Sequence, residues 1–310
     1  MDACARLVNI MGRHLPQDGT CSTAVPGLSL VRASSPTLPM PVVYEPTLCL
    51  IAQGRKRVLF GDQAFIYDAS RYLVASVGVP LVGTVIEASA EQPYLCVVID
   101  LNMTRLSELA LRFAHPPAQN SPEAAVAFGA TPPELLDAVT RLAALLDQPN
   151  DIEALAPLIE SEILYRLLMA PGHSAIRQMA TADSRLRQIG KAISWLRAHY
   201  REPCRIEQMA DIAGMSRSTF HLHFKAVTGI SPLEFRGHLR LQEARRLMVA
   251  QALNAAEAGF AVGYESASQF SRDYVQLFGA PPAQDAQRMR DAPAGLMRTA
   301  VALAPAVPGI

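Results

Sequence analysis

The segment VGYESASQFSRDYVQLFGAPP, residues 262–282, decides the fold of the C-terminal part of this 310-residue chain. Ser266 and Gln269 have the spacing of a capping box, which predicts the start of a helix. Phe270 and Tyr274 lie four residues apart, so both face the same side of that helix. The segment therefore predicts the turn and the second helix of a helix-turn-helix.

A second segment of the same build lies upstream, at residues 206–229 (IEQMADIAGMSRSTFHLHFKAVTG). It predicts a short helix, a tight turn at Gly214-Met215 and a further helix that begins after Ser216. Between the two units, Ser231 and Glu234 form a capping box at the start of a long helix that joins them. Two linked helix-turn-helix units indicate a protein that binds DNA.

The charge distribution agrees with this interpretation. Residues 1–184 contain 12 Lys and Arg against 18 Asp and Glu, whereas residues 185–310 contain 16 against 10, so a formal net charge of zero conceals a basic C-terminal part. A basic domain attracts the phosphate backbone of nucleic acids.

Cellular location is predicted from the cysteines and the apolar segments. The five cysteines are odd in number and include no CxxC pair, which indicates reduced thiols rather than disulfides or a metal site. No segment has the apolar length of a signal peptide or a membrane span. We therefore expect a cytoplasmic protein without membrane association.

Residues 28–100 have the period of short strands, separated by Gly, Pro, Asp and Ser. Gly61-Asp62 predicts a two-residue hairpin turn. The predicted strands are LSLVRA, TLCLIA, RVLF, QAFIY, YLVAS, VGTVIEA and YLCVVID. Such a series favours a small antiparallel barrel or sandwich.

Two helical stripes of apolar residues follow within residues 132–169. The first contains Leu135, Val139, Leu142 and Leu146, and the second contains Leu155, Ile159, Ile163 and Leu167. Each stripe has to be covered, either by the outer wall of the barrel or by a second copy of the chain. Both arrangements remain open, because one helix can use two faces.

The C-terminal motifs resemble those of the AraC/XylS-type bacterial transcription regulators. The similarity covers about residues 185–290, with Phe224, TGISP at 228–232, RLQEARRL at 240–247 and the segment 262–282 in order. In addition, YEPTLCLIAQG at 44–54 and the strands after it are similar to the cupin-like sensor domain of many such regulators. The resemblance implies an α+β fold: an N-terminal cupin-like antiparallel β-barrel with flanking helices, then an all-α double helix-turn-helix domain of seven helices.

The resemblance also implies a domain order and a set of partners. We expect a sensor and dimerisation domain at 1–171, a linker at 172–184, the DNA-binding domain at 185–290 and a flexible tail at 291–310. Such a regulator would bind a bipartite promoter site in double-stranded DNA, respond to a small-molecule effector and form a homodimer. RNA polymerase is a further candidate partner.

The exposed faces of the two predicted recognition helices supply the candidate DNA-binding residues. Buried aromatic residues on one side leave Arg217, Ser218, His221, Leu222 and Lys225 outward in the first helix. The second helix presents Ala267, Ser268, Ser271 and Arg272. Arginine, serine and neutral histidine can meet base edges, and a leucine can contact a thymine methyl group. Lys225 is assigned to phosphate, and Arg272 to either guanine or phosphate.

The candidate effector-binding residues lie where the predicted strands turn. They are Gln53, Arg55, Arg57, Tyr67 and Tyr72, whose side chains could bind a small polar or anionic molecule if they point inward. The alternative is that the arginines are solvated at a strand end and the tyrosines are packing residues.

Three other functions compete with this interpretation. Metal-dependent cupin enzymes use two or three His and a Glu inside the barrel, but no His occurs between residues 15 and 114, so we expect no metal, no cofactor and no catalysis. Some DNA-repair proteins with a similar helix-turn-helix use a cysteine to accept alkyl groups, and no cysteine cluster or activating His accompanies this one. A constitutive DNA-binding protein without an effector remains open.

Overall fold

The computed structural model describes residues 2–61, 63–113, 125–170, 174–180 and 184–291. Within these residues the N-terminal part contains ten strands: β1 (Gly19–Ser22), β2 (Leu28–Ala33), β3 (Met40–Tyr44), β4 (Thr47–Gln53), β5 (Arg55–Phe60), β6 (Gln63–Tyr67), β7 (Arg71–Ala75), β8 (Val79–Glu87), β9 (Tyr94–Asp100) and β10 (Val126–Ala130). The seven predicted strands are β2 and β4 to β9. The sequence did not predict β1, β3 or β10.

The strands form two antiparallel sheets that face each other. One has the order β1-β2-β9-β4-β7-β10 and the other the order β3-β8-β5-β6. No ladder joins the two sheets in the described residues, so the barrel is not closed, and the arrangement is that of a cupin-like jelly roll. Phe60 pairs with Gln63, and Gly61 has a φ of 55°, which confirms the predicted two-residue hairpin between β5 and β6.

Four helices flank the sheets: α1 (Ala3–His14), α2 (Met103–Phe113), α3 (Pro133–Ala144) and α4 (Ile152–Met169). Helix α1 packs on α3 and on β4, and α4 packs on α2 and α3. The predicted apolar stripes are mostly buried inside the chain, so they are packing surfaces of the sensor part. Leu155 is the exception in the second stripe, because it lies on the outer face of α4.

The predicted linker at 172–184 contains a further helix, α5 (Ser174–Ala180). Its buried residues Ile176 and Ala180 lie four apart and so share one face, against α2 and α6 (Arg185–His199). Residues 174–180 of the predicted linker thus form a helix with one buried face, and the bounds of the linker stay a prediction. The predicted tail at 291–310 lies outside the described residues except for Asp291.

The C-terminal part contains seven described helices, as predicted. After α6 they are α7 (Ile206–Ala213), α8 (Arg217–Thr228), α9 (Pro232–Ala250), α10 (Ala255–Ala261), α11 (Ala267–Phe278) and α12 (Pro282–Asp291). The side chains of Ser184, Ser216 and Ser266 cap α6, α8 and α11. Capping boxes begin α9 at Ser231 and α10 at Asn254, as the sequence predicts.

Two hydrophobic cores organise the described part of the chain. The larger one continues from the sheets into α6, α7 and α8, the first helix-turn-helix unit. The smaller one lies among α9, α10, α11 and α12, the second unit. The first unit therefore packs on the sensor part, whereas the second unit has a core of its own.

Direct contacts tie the sensor part to the first unit. The N–H of Ala125 donates to the carbonyl of Val227 at 3.2 Å, and Arg197 forms an ion pair with Glu45. The hairpin turn at Gly61 lies against Gly229, the residue that ends α8: a Cβ on Gly229 would be 3.1 Å from the Cα of Gly61. In the described part of the chain, no helix is long and apolar enough to cross a membrane.

Candidate nucleic-acid interface and effector site

Helix α8 presents a polar face away from its core. Phe220, Phe224 and Val227 are fully buried. The predicted DNA-contacting residues on the opposite face, Arg217, Ser218, His221, Leu222 and Lys225, are all exposed. Arg217 forms an ion pair with Glu207 of α7 at 3.0 Å. Exposed pairs of this kind contribute little stability, so Arg217 can exchange this partner for DNA.

Helix α11 presents the corresponding face in the second unit. Phe270 and Tyr274 are buried, whereas Ser268 and Arg272 are exposed. Ala267 and Ser271 are half-buried, so they approach a groove only at the edge of this face.

The exposed face of α11 continues one turn beyond the predicted DNA-contacting residues. Val275 and Gln276 are also exposed and follow Ser271 and Arg272 at the spacing of one helical turn. Val275 thus occupies the place in α11 that Lys225 has on the face of α8. Val275 and Gln276 lie three and four residues after Arg272, and this helical spacing would have been enough to predict them from the sequence.

A buried ion pair supports α11 from behind. Asp285 of α12 is 3% exposed and accepts hydrogen bonds from Arg245 Nε at 2.8 Å, Arg245 Nη2 at 3.1 Å and the Tyr274 hydroxyl at 2.8 Å. The Arg245 guanidinium also lies 4.5 Å from the centre of the Phe278 ring. Burial, together with the nearby Asp285 carboxylate, raises the pKa of Tyr274, so its hydroxyl remains a donor. This network fixes α11 relative to α9 and α12.

Two further arginines of the joining helix α9 also have partners within the protein. Arg246 forms two hydrogen bonds with Glu243, at 2.7 and 2.8 Å. Arg240 donates to the carbonyls of Tyr200 and Arg201 just beyond the end of α6, at 2.7 and 2.9 Å. These contacts stabilise the joining helix α9 and leave the recognition faces to other residues.

The predicted effector-binding residues do not form one site. Arg55 and Arg57 are exposed, and Arg55 pairs with Glu87 at 3.5 Å. Gln53 is half-buried and donates to the carbonyl of Pro93 at 2.8 Å. Of the two alternatives left open for the arginines, solvation is the one that their exposure agrees with. Alternate residues of β5 face opposite sides, and the inward one is Lys56.

The two tyrosines also separate. Tyr67 pairs with Lys56 between β6 and β5, so it lies between the two sheets, and its ring meets that of Phe128 edge-on at 5.4 Å. Tyr72 pairs with Leu50 of β4. The preceding residue of that strand, Cys49, faces the interior between the sheets, so Leu50 and Tyr72 point to the opposite face, which the helices cover. Burial raises the pKa of Tyr72 to about 12. Of the five predicted residues, only Tyr67 lies in the interior between the sheets.

Comparison with known proteins places both parts of the chain in one family. Residues 24–175 match the model of the AraC-type transcriptional regulator N-terminus, and residues 209–288 match a helix-turn-helix domain model. The chain belongs to the AraC-type transcriptional regulators. The resemblance found in the sequence is thus confirmed, and the family is one of regulators rather than of enzymes.

Individual relatives agree with this assignment. The chain is 28% identical over 159 residues to the HTH-type transcriptional activator RhaS of Escherichia fergusonii, a match that covers 51% of this chain and 56% of RhaS. The chain therefore spans about half the length of the curated relatives it matches.

Solved structures show the same overall fold. Apo ToxT from Vibrio cholerae, in a variant form, superposes with a TM-score of 0.56 at 11% identity, covering 86% of this chain and 99% of ToxT. Wild-type ToxT bound to an unsaturated fatty acid gives a TM-score of 0.53 at 10% identity, covering 83% and 94%. The α+β architecture predicted from the sequence is confirmed.

Proposed function

We propose that this chain is a sequence-specific transcription regulator of bacterial promoters, acting in the cytoplasm, whose N-terminal jelly roll binds a small-molecule effector. The observation that carries the proposal is a pair of exposed recognition faces, on α8 and α11, held by one continuous helix. The solved complex of the fold neighbour ToxT with an unsaturated fatty acid supports a small-molecule effector. RNA polymerase is a candidate partner of the DNA-bound protein.

The joining helix sets the kind of DNA site. Helix α9 has 19 residues and is therefore roughly 28 Å long at ~1.5 Å per residue. This length is close to the ~34 Å that separates successive major grooves on one side of a duplex. One copy of the chain can thus place α8 and α11 in two neighbouring grooves, which gives a bipartite site.

The two faces carry different chemistry, so each half of the site should be recognised separately. Arg272→Ala is expected to relax base preference in one half of the site by ~1–3 kcal/mol, because arginine makes a bidentate contact with guanine. His221→Ala should relax the other half only. Lys225→Ala should weaken binding to all sequences and lower the salt dependence by about one phosphate contact.

Selection of binding sites from random duplex DNA by each variant, at two salt concentrations, measures these effects. Arg288→Ala is the matched control, since Arg288 is exposed on α12, outside both recognition helices. If Arg272→Ala lowers affinity evenly at every base position, Arg272 contacts phosphate and the assignment of base recognition to α11 is wrong. Absence of any selected sequence with the wild-type chain would contradict the proposed function itself.

We propose in addition that the outer face of α4 forms a homodimer contact. Leu155, Leu158, Tyr165 and Met169 are exposed there, with Leu158 66% exposed. Their spacing of three, seven and four residues makes an apolar seam along the helix, of the type that pairs with a second helix. Phe113 of α2 extends the seam by an edge-on contact with Tyr165, with ring centres 5.4 Å apart.

Leu158→Glu is expected to weaken the dimer at least tenfold, because the substitution places a charge in the middle of the seam. Sedimentation equilibrium of the full chain at micromolar concentrations measures the association constant. Leu38→Glu is the matched control, since Leu38 is also exposed but lies between β2 and β3. A wild-type chain that sediments as a monomer throughout this range would remove the proposal.

A further inference from the structure

A lysine ammonium is buried between the two sheets. Lys56 is 6% exposed, and its Nζ lies 2.7 Å from the hydroxyl of Tyr44. Gly83 in the adjacent strand β8 leaves the necessary space: a Cβ there would be 2.7 Å from Cε and 3.2 Å from Nζ of Lys56. Burying a charge is costly unless it is paired, and the described hydrogen-bond partner of this ammonium is a phenol rather than a carboxylate.

Two buried hydroxyls accompany the ammonium. Tyr67 and Tyr94 are each 1% exposed, and neither hydroxyl forms a hydrogen bond of normal geometry in the described structure. The two tyrosines come from opposite sheets and lie close enough for each to perturb the other's ionisation. A buried hydroxyl without a hydrogen-bond partner is destabilising.

The groups nearest to the Lys56 ammonium are phenols and thiols. Its strongest electrostatic neighbours are the Tyr44 phenol and the thiols of Cys96 and Cys49, and no carboxylate is among them. Burial raises the pKa of Tyr44, Tyr67 and Tyr94, which keeps these phenols protonated. A hydrogen bond with Cys49 and the nearby Lys56 ammonium lower the pKa of the Cys96 thiol, which moves it towards its negatively charged form. The interior thus contains one cation and two hydroxyls without a hydrogen bond of normal geometry, and no carboxylate is among the described groups nearest to the cation.

We propose that this cluster is the effector site, and that it binds the carboxylate of a small organic acid. The inference rests on the proposed function, because it assigns the effector of the N-terminal jelly roll to a chemical class and to residues. A carboxylate has two oxygens that can accept from Lys56 Nζ and from the hydroxyls of Tyr67 and Tyr94 together. Charge-assisted hydrogen bonds of this kind are about twice as strong as neutral ones.

Lys56 is the basic side chain of β5 that faces the interior. Arg57 lies one residue beyond Lys56 in β5 but is exposed, and so points out of the sandwich. Tyr72 lies on the other face of its sheet. A site made by solvated surface charges would depend on Arg57, whereas the interior site depends on Lys56.

Titration of the full-length protein with sodium acetate, butyrate, hexanoate, octanoate and benzoate tests the proposal. The alcohol of the same carbon skeleton accompanies each acid as a control for apolar binding. At least one carboxylate should raise the melting temperature and bind saturably in calorimetry, and its alcohol should not. Lys56→Met should weaken that binding at least 100-fold and Tyr94→Phe about tenfold, whereas Arg57→Met should leave it unchanged.

The ligand-free variants separate binding from folding. Tyr94→Phe removes an unsatisfied hydroxyl and should not lower the melting temperature of the ligand-free protein. Lys56→Met removes a buried charge but also the donor to the Tyr44 hydroxyl, so the melting temperature of the ligand-free variant is measured beside its carboxylate binding. A lowered melting temperature with unchanged carboxylate binding would assign Lys56 to structure and overturn the proposal. Failure of every carboxylate to bind would also overturn it. If the wild-type chain still selects a DNA sequence in that case, the proposed function stands and only the effector assignment falls.

Discussion

Asp285→Ala is expected to lower the free energy of unfolding of the second helix-turn-helix unit by about 3–5 kcal/mol. The substitution leaves the Arg245 guanidinium nearly buried without its counter-charge, and it removes the acceptor of the Tyr274 hydroxyl. An unpaired buried charge costs more than the intact pair contributes. Because the second unit has its own core, the loss should remain local to α9–α12.

Hydrogen exchange resolved by peptide measures this local effect. Protection should fall in α10, α11 and α12 and remain unchanged in β4 and β9. The double variant Arg245→Met/Asp285→Ala is the control, and it should recover most of the lost stability, because an apolar side chain can replace a buried ion pair at little cost. If the single variant lowers the free energy of unfolding by less than about 1 kcal/mol, solvent reaches Arg245 and the ion pair does not support α11.

Gly259→Ala is expected to lower the free energy of unfolding of the same unit by about 1–3 kcal/mol. Helix propensity alone would predict the opposite sign. Alanine in a helix is favoured over glycine by about 1 kcal/mol. At Gly259, however, the new Cβ would lie 2.9 Å from Cγ and 3.2 Å from Cβ of Phe270, whose side chain is fully buried and cannot move aside. The close approach of α10 and α11 therefore requires glycine.

Gly237→Ala is the matched control for this prediction. Gly237 lies inside α9, and a Cβ there would meet no atom within 4 Å. Urea unfolding should show that Gly237→Ala raises the free energy of unfolding by up to about 1 kcal/mol and that Gly259→Ala lowers it. Equal gains at both positions would mean that α10 can shift away from Phe270.

The helical part of the molecule was predictable because its signals are local. Capping boxes span four residues, and the pair Phe270 and Tyr274 fixes the buried side of α11 within one turn. The exposed faces follow from the buried ones, which is why the predicted DNA-contacting residues of α8 are all exposed. The support of α11 was not predictable, since Arg245 and Asp285 are 40 residues apart and no local pattern pairs them.

The interior of the jelly roll was predicted less well, and β5 shows the reason. The sequence Arg55-Lys56-Arg57 has the composition of a solvated strand end. The two arginines, rather than the lysine between them, were therefore named as the candidate ligands of an anionic effector. The alternation of side chains along a strand could have predicted the inward direction of Lys56. Lys56 lies two residues before the apolar and buried Val58, so both face the same side of β5. Strand β10 was missed because Val126–Ala130 is short and far in sequence from β7, with which it pairs.

The backbone contact between Gly61 and Gly229 constrains how such proteins can be recombined. Both glycines have positive φ values, 55° and 78°, and their main chains touch without a side chain that could adapt to a new neighbour. A chimera that joins this DNA-binding part to another sensor domain therefore keeps Gly229 but loses the turn at Gly61 that packs against it. Domain exchange in this protein must transfer the β5–β6 turn and the end of α8 as one unit, although about 170 residues separate them in the chain.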